Sequence, residues 1–294
     1  MENSFVKTWF LAMRPKTLWA AVSPVIVGTA MAYGDGFFHL VIFAVTMSCA
    51  IAIQIGTNFA NDYYDFVKGA DTEERMGPTR ATQAGWVTPQ IMKRAFIFTF
   101  AIAFFCGLYL AWHGGVYILL IGIVSIICGI IYTGGPYPLG YNGLGDIFVL
   151  IFFGPVAVGG TYYLQTSNIE FVHILCGLAL GALATAIIIV NNLRDMATDV
   201  KVGKRTLAVR FGKTFTYIEY ALCFLGAFAL PLYLYFTQIK EPNILYTLLP
   251  APIACILFVK ILRLEGKQLN PLLGQTALVL LLYSLCFSVA WIWS

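Results

Sequence analysis

Two stretches of this chain carry residue types at a spacing that could do chemistry. In the first, Asn58, Asn61, Asp62 and Asp65 recur at intervals of three and four. In the second, Asn191, Asp195 and Asp199 follow one another at intervals of four. Residues three or four apart share a helix face, so each stretch predicts a row of oxygens at a helix end. No histidine or cysteine stands close by, and carboxylate and amide oxygens suit a hard cation, Mg2+ above all. Mg2+ seldom takes an all-protein cage; it keeps water and shares carboxylates with a substrate's phosphate oxygens. The expected ligands are Asn61, Asp62, Asp65, Asn191, Asp195 and Asp199. Lys68, Arg75, Arg80, Lys204, Arg205 and Arg210 lie nearby and predict a site for a diphosphate. The competing reading, solvated loop charges at a membrane surface, suits any one of these residues better than it suits the duplicated pattern.

The two stretches are related by a shift of 130 residues, which superposes Asn61 on Asn191, Asp65 on Asp195, Arg75 on Arg205 and Arg80 on Arg210. Each begins where a long apolar run ends. This predicts a parallel internal repeat, about 1–140 and 141–270, inside one domain that spans 1–294.

The elements that must position these residues are membrane helices. Of 294 residues, 60% are hydrophobic and 11% charged, against roughly a quarter charged in an average soluble protein. A spanning helix needs about 20 apolar residues, and nine stretches fit: about 18–34, 39–60, 92–112, 115–133, 143–164, 171–191, 215–236, 245–263 and 271–292. The expected fold is therefore an all-α polytopic bundle of nine transmembrane helices, two four-helix repeats plus one. Phe5, Trp9, Phe10 and Met13 fall at helical spacing and predict an interfacial helix ahead of the first span. That reading is preferred to a cleaved signal peptide ending near Ala30-Met31-Ala32. With the N-terminus in the cytoplasm and nine alternating spans, 17 of the 18 Lys and Arg fall on the cytoplasmic side, Lys240 being the exception. Both acidic stretches fall there too, the first with Asp71, Glu73 and Glu74 in its trailing loop. The seven cysteines lie singly inside apolar runs and read as small core residues. No part of the chain suggests nucleic-acid binding.

An apolar bundle with a diphosphate site at its mouth suits a polyprenyl diphosphate. Pulling on the diphosphate would ionise the allylic C–O bond, and aromatic faces stabilise a carbocation. Tyr132, Tyr137 and Tyr141 flank the 134–142 loop and are placed to do so, unless they merely belong to the interfacial aromatic belt.

The motifs resemble those of the UbiA-type intramembrane prenyltransferases. Asn61-Asp-Tyr-Tyr-Asp65 resembles the first Asp-rich motif and Asp195-Met-Ala-Thr-Asp199 the second. Arg14-Pro-Lys-Thr-Leu18, Gln54-Ile-Gly-Thr-Asn58, Lys68-Gly-Ala-Asp71 and Gly77-Pro-Thr-Arg80 are most similar to the branch that prenylates 1,4-dihydroxy-2-naphthoate. The resemblance implies a helical bundle in the cell membrane with a central cavity, two Mg2+ ions and a lateral lipid opening. It implies transfer of a polyprenyl group to dihydroxynaphthoate with loss of CO2 and diphosphate. Asp65, Asp71, Asp195 and Tyr132 are then expected to serve catalysis. Asn58, Arg14, Lys68, Arg75, Arg80, Tyr137, Tyr141, Lys204 and Arg205 are expected to bind substrates. Where many members have a third acid, position 69 is Gly, and Asp71 is the replacement. Asp71 and Asp146 are candidate bases; Arg80 and Arg14 are candidate partners for the acceptor carboxylate. Prenylation of 4-hydroxybenzoate is an alternative. So is a secondary transporter, which the near absence of mid-span charge disfavours.

Overall fold

The computed structural model describes residues 4–71 and 75–294. Glu73 and Glu74 lie outside the described residues. Among these residues the secondary structure is entirely helical.

The chain enters through a short helix, α1 (Phe5–Met13), whose Phe5, Val6 and Phe10 are exposed while Thr8 and Ala12 are buried. The helix expected from the aromatic spacing is present. Arg14 follows in the left-handed region (φ 53°) and turns the chain sharply into α2 (Pro15–Gly34). Proline suits the first turn of α2 because its missing N–H would have no intrahelical partner there. Helix α2 is rich in Ala, Gly, Ser and Thr, the residues that let membrane helices approach closely. A β-carbon on Gly28 would lie 2.7 Å from Thr161 Cβ.

Helices α3 (Leu40–Val67), α4 (Pro89–Gly114) and α5 (Val116–Ile131) pack together around Phe59, Met92, Phe96 and Phe100. The fifth apolar stretch is broken. Helix α6 (Gly145–Ile151) leads into a widened turn over Phe152–Val156, and α7 (Ala157–Thr166) completes the segment. Pro155 has no N–H to give, and Gly154 leaves helical geometry. The break is seated against α8 (Phe171–Lys201), where a β-carbon on Gly181 would lie 2.1 Å from the Leu150 carbonyl oxygen.

Helix α9 (Leu207–Phe236) bends at Gly212 (φ 79°). A 3-10 segment (Pro242–Leu248) precedes α10 (Ala251–Ile261), and α11 (Leu269–Ile292) closes the bundle. The largest core joins α2, α8, α9, α10 and α11, with Tyr220, Tyr283 and Phe287 fully buried.

Eight segments of the described residues, against the nine expected, are long and apolar enough to cross a membrane; α5, at 16 residues, is apolar but shorter than these. The chain is a multi-pass membrane protein. Two boundaries matter for function. Helix α3 continues to Val67 and α8 to Lys201, beyond the apolar runs expected to end at 60 and 191. Both acidic motifs therefore lie on helices and keep the rigid geometry that their spacing predicts.

Candidate functional site

The ends of α3 and α8 face each other across a polar cleft. Asn61 and Asp65 enter it from α3, and Asn191, Asp195 and Asp199 from α8. The segment after α3 folds back over the opening and delivers Arg75 and Arg80, while the α1–α2 elbow delivers Arg14. Tyr132 and Tyr141 form a further wall, and Lys204 comes from the turn after α8.

The charges are interlocked. Asp65 is almost wholly buried; its Oδ2 accepts from Arg80 Nη2 at 2.7 Å and its Oδ1 from the Tyr141 hydroxyl at 2.7 Å. Lys204 Nζ lies 3.4 Å from the same Oδ1 and 4.7 Å above the Tyr141 ring, with Lys68 Nζ 4.9 Å from that ring. Burial and Asp65 push the Tyr141 phenol up; burial, then Asp146, does the same to Tyr132. Both hydroxyls stay protonated and can donate. Arg80 is held above its ordinary pKa because Asp71, Asp65 and Asp62 outweigh the effect of its burial. Arg14 is pushed down by burial and then by Arg80 and Arg75. Its Nη2 is buried with no hydrogen-bond partner, as is Nη1 of Arg80, whose Nε has only the Asp71 carboxylate 3.5 Å away. Buried guanidinium N–H groups without acceptors are costly, and the oxygens of an anion would satisfy them.

Seven of the expected site residues stand outside the lining of the cleft. Asp62 does not line the cleft; its carboxylate accepts from the backbone N–H groups of Ala81 (3.0 Å) and Thr82 (3.1 Å) and pins the returning segment to α3. Asn58 donates to the Met13 carbonyl (2.9 Å) and to Thr17 Oγ1 (3.1 Å), bracing the elbow that presents Arg14. Asp71 is fully enclosed, paired with Arg75 and 3.5 Å from Arg80 Nε. It aims these two arginines and has no open face for a base. Lys68 donates to the carbonyls of Thr133 (2.7 Å) and Gly135 (3.2 Å). Tyr137 is exposed at the surface, away from the cleft. Arg205 is exposed too, and Arg210 braces the nearby turn through the carbonyls of Arg205 and Asn142. The 130-residue correspondence thus brings Asn61, Asp65, Asn191 and Asp195 to one cleft but separates the arginines.

The sequence reading missed several participants. Thr133 donates to Asn61 Oδ1 (2.8 Å), and Asn192 sits between the cleft and Asp146, 3.4 Å from Asp146 Oδ1. Asp146 is buried, with its Oδ2 unpartnered. Arg194 was the largest omission: it forks onto both oxygens of Asp195 and also donates to Asn191 Oδ1 (2.8 Å). Its signal was a basic residue inside the second motif with Tyr64 at the equivalent place in the first.

The donors fit a hard cation. Those that line the cleft are all oxygens, from Asp65, Asp195, Asp199, Asn61 and Asn191. Among the described residues no three acidic, His or Cys side chains converge into a finished metal cage.

A bundle of membrane helices with a polar cleft that gathers carboxylates and arginines has the make-up of a membrane enzyme's active site. Residues 21–273 match the UbiA prenyltransferase family, and the chain belongs to that family. It is a membrane prenyltransferase. It is 39% identical to the 1,4-dihydroxy-2-naphthoate octaprenyltransferase of Haemophilus influenzae, over 98% of this chain and 97% of that protein. It is 44% identical to the Escherichia coli protein of the same name, over 72% and 71%. In fold it is similar to a UbiA homologue from Archaeoglobus fulgidus bound to GPP and Mg2+, with a TM-score of 0.66, 15% identity and coverage of 98% and 100%.

Proposed function

We propose that this protein transfers a polyprenyl group from polyprenyl diphosphate to 1,4-dihydroxy-2-naphthoate, with loss of CO2 and diphosphate, giving the demethylmenaquinone skeleton. The observation that carries this is the gathering in one cleft of Asp65, Asp195 and Asp199 with Arg14, Arg75 and Arg80. The names and high coverage of the curated relatives support the choice of acceptor.

Arg75, Arg80 and Lys204 hold the diphosphate oxygens, and the unpartnered N–H groups of Arg80 and Arg14 find their acceptors there or on the naphthoate carboxylate. Mg2+, two ions in this reading, would be held by Asp65, Asp195 and Asp199 with Asn61 and Asn191, and would neutralise charge on the departing diphosphate. Tyr132 presents its ring to the allylic carbon as its C–O bond breaks, while Tyr141, its ring faced by Lys68 and Lys204, orients Asp65 through its hydroxyl. The naphthoate ring supplies the electron pair of the new C–C bond. The carboxylate leaves as CO2 and returns its bonding electrons to the ring, so substitution needs no net proton removal. Should a phenolic proton leave first, Asp146, with its Oδ2 unpartnered, is the candidate acceptor.

The same proposal has nine spans, two related four-helix halves, a cytoplasmic N-terminus and a cleft opening to the cytoplasm of a bacterial-type cell membrane. The Lys and Arg asymmetry supports the orientation.

The test is reconstituted protein given labelled polyprenyl diphosphate, dihydroxynaphthoate and Mg2+. Prenylated naphthol and equimolar CO2 are expected, with no product after chelation. Folded protein that yields no product, or that prenylates 4-hydroxybenzoate instead, would overturn the assignment of acceptor.

A further inference from the structure

Asn270, at the start of α11, belongs to neither motif, yet it ties three parts of the site together. Its side-chain oxygen accepts from Arg194 Nη1 at 3.0 Å, and its amide donates to the Met76 carbonyl at 3.0 Å. The same Arg194 grips both oxygens of Asp195 and reaches Asn191. Next to Met76, a β-carbon on Gly77 would lie 2.7 Å from Arg194 Nη2 and 3.2 Å from Arg75 Nη2. The φ of Gly77 is not positive, so the glycine is there for room. Arg75 Nε closes the turn by donating to the Pro78 carbonyl at 3.2 Å. One guanidinium is therefore packed against the turn that carries the cleft's arginines while it fixes the acid on the opposite wall.

We propose that Arg194 and Asn270 are positioning residues, a brace that holds the 75–80 turn in register with Asp195 so that Arg75 and Arg80 meet the diphosphate at a fixed distance from the α8 acids. The inference rests on the prenyl diphosphate reading of the cleft. Neither residue touches the reacting atoms. Without the brace the turn keeps its anchor at Asp62 but loses its tie to α8 and α11. Substrate affinity then falls because the arginines must be ordered at the moment of binding.

The test compares Asn270→Ala with Asn270→Asp in lipid nanodiscs. The aspartate keeps an acceptor for Arg194, now a charged one, and replaces the donor to Met76 with an oxygen that cannot bond its carbonyl, so it separates the two halves of the brace. For Asn270→Ala the KM for prenyl diphosphate should rise about tenfold, the effect of losing a buried hydrogen bond or two. The KM for the acceptor should stay within about twofold of the parent. Trypsin cleavage after Arg75 and Arg80, which needs local opening of the turn, should accelerate in both variants, more in the alanine. Cleavage at the parental rate in both would overturn the brace, as would a loss confined to kcat. Cleavage reads the turn without any turnover. A parent that makes no prenylated product would therefore sink the functional reading and leave the brace to be judged on proteolysis alone.

Discussion

Replacing Tyr141 with Phe removes one hydroxyl and leaves its ring in place. The hydroxyl donates to Asp65 Oδ1 at 2.7 Å, a bond to an ionised acceptor. Bonds of that kind contribute about 1.5–3 kcal/mol, or roughly 10- to 150-fold in an equilibrium or rate. Two neighbours soften the loss: Arg80 keeps Oδ2 at 2.7 Å, and Lys204 Nζ, at 3.4 Å from Oδ1, can close on the vacated oxygen. The lower end is expected, about a tenfold fall in kcat/KM for prenyl diphosphate. The Mg2+ concentration for half-maximal rate should rise, because Asp65 is less well aimed. Tyr141→Leu also removes the ring that faces Lys68 and Lys204 at 4.9 and 4.7 Å. At about 0.5–1 kcal/mol per contact, the second variant should fall a further fivefold or more. Initial rates against substrate at several Mg2+ concentrations measure both. If Tyr141→Phe matches the parent within twofold in kcat/KM and in Mg2+ dependence, Tyr141 does not orient Asp65 and the argument fails.

Other perturbations separate structural roles from chemical ones. Asp62→Ala strips two backbone N–H groups of their acceptor and should lower stability by about 2 kcal/mol or more. Its half-saturating Mg2+ should be unchanged, and a manyfold shift there would return Asp62 to the ligand set. Arg14→Met relieves a guanidinium that burial and the neighbouring Arg80 and Arg75 disfavour. The melting temperature without substrate should rise, by about 1 kcal/mol of stability, while the KM for prenyl diphosphate or acceptor rises; calorimetry and kinetics on one preparation would show the trade.

The helix periodicity that made the site legible also explains where the reading overshot. At roughly 100° per residue, Asn58, Asn61, Asp62 and Asp65 span an arc of about 100° on α3, which is one face by any pattern rule. The structure divides that arc down its middle. Asn61 and Asp65 lie on the edge toward α8, and Asn58 and Asp62 on the edge toward the elbow and the returning segment. Pattern alone cannot choose an edge, because the choice depends on where α8 stands. The arginines show the same limit. Arg75 and Arg80 share an offset with Arg205 and Arg210, but Asp62 draws the first pair back over the cleft. The second pair leaves on a tight turn through Gly203 (φ 75°) and ends at the surface. Arg194 and Asn270 meet across 76 positions of sequence, and no local rule reports such a meeting.

The pairing of charges inside the cleft has a consequence for how its guests arrive. Four cationic side chains, from Arg14, Arg75, Arg80 and Lys204, face three carboxylates, from Asp65, Asp195 and Asp199. Asp65 is already bonded to one of those cations, and Asp195 to Arg194 behind the wall. A metal ion alone would meet the arginines, and a diphosphate alone would meet the acids. Entering together, each releases the protein's own counter-ion to the other, a salt exchange that leaves the net charge of the buried space nearly unchanged. In a setting where unbalanced charge is expensive, the cleft should therefore admit the metal–diphosphate pair far more readily than either ion by itself.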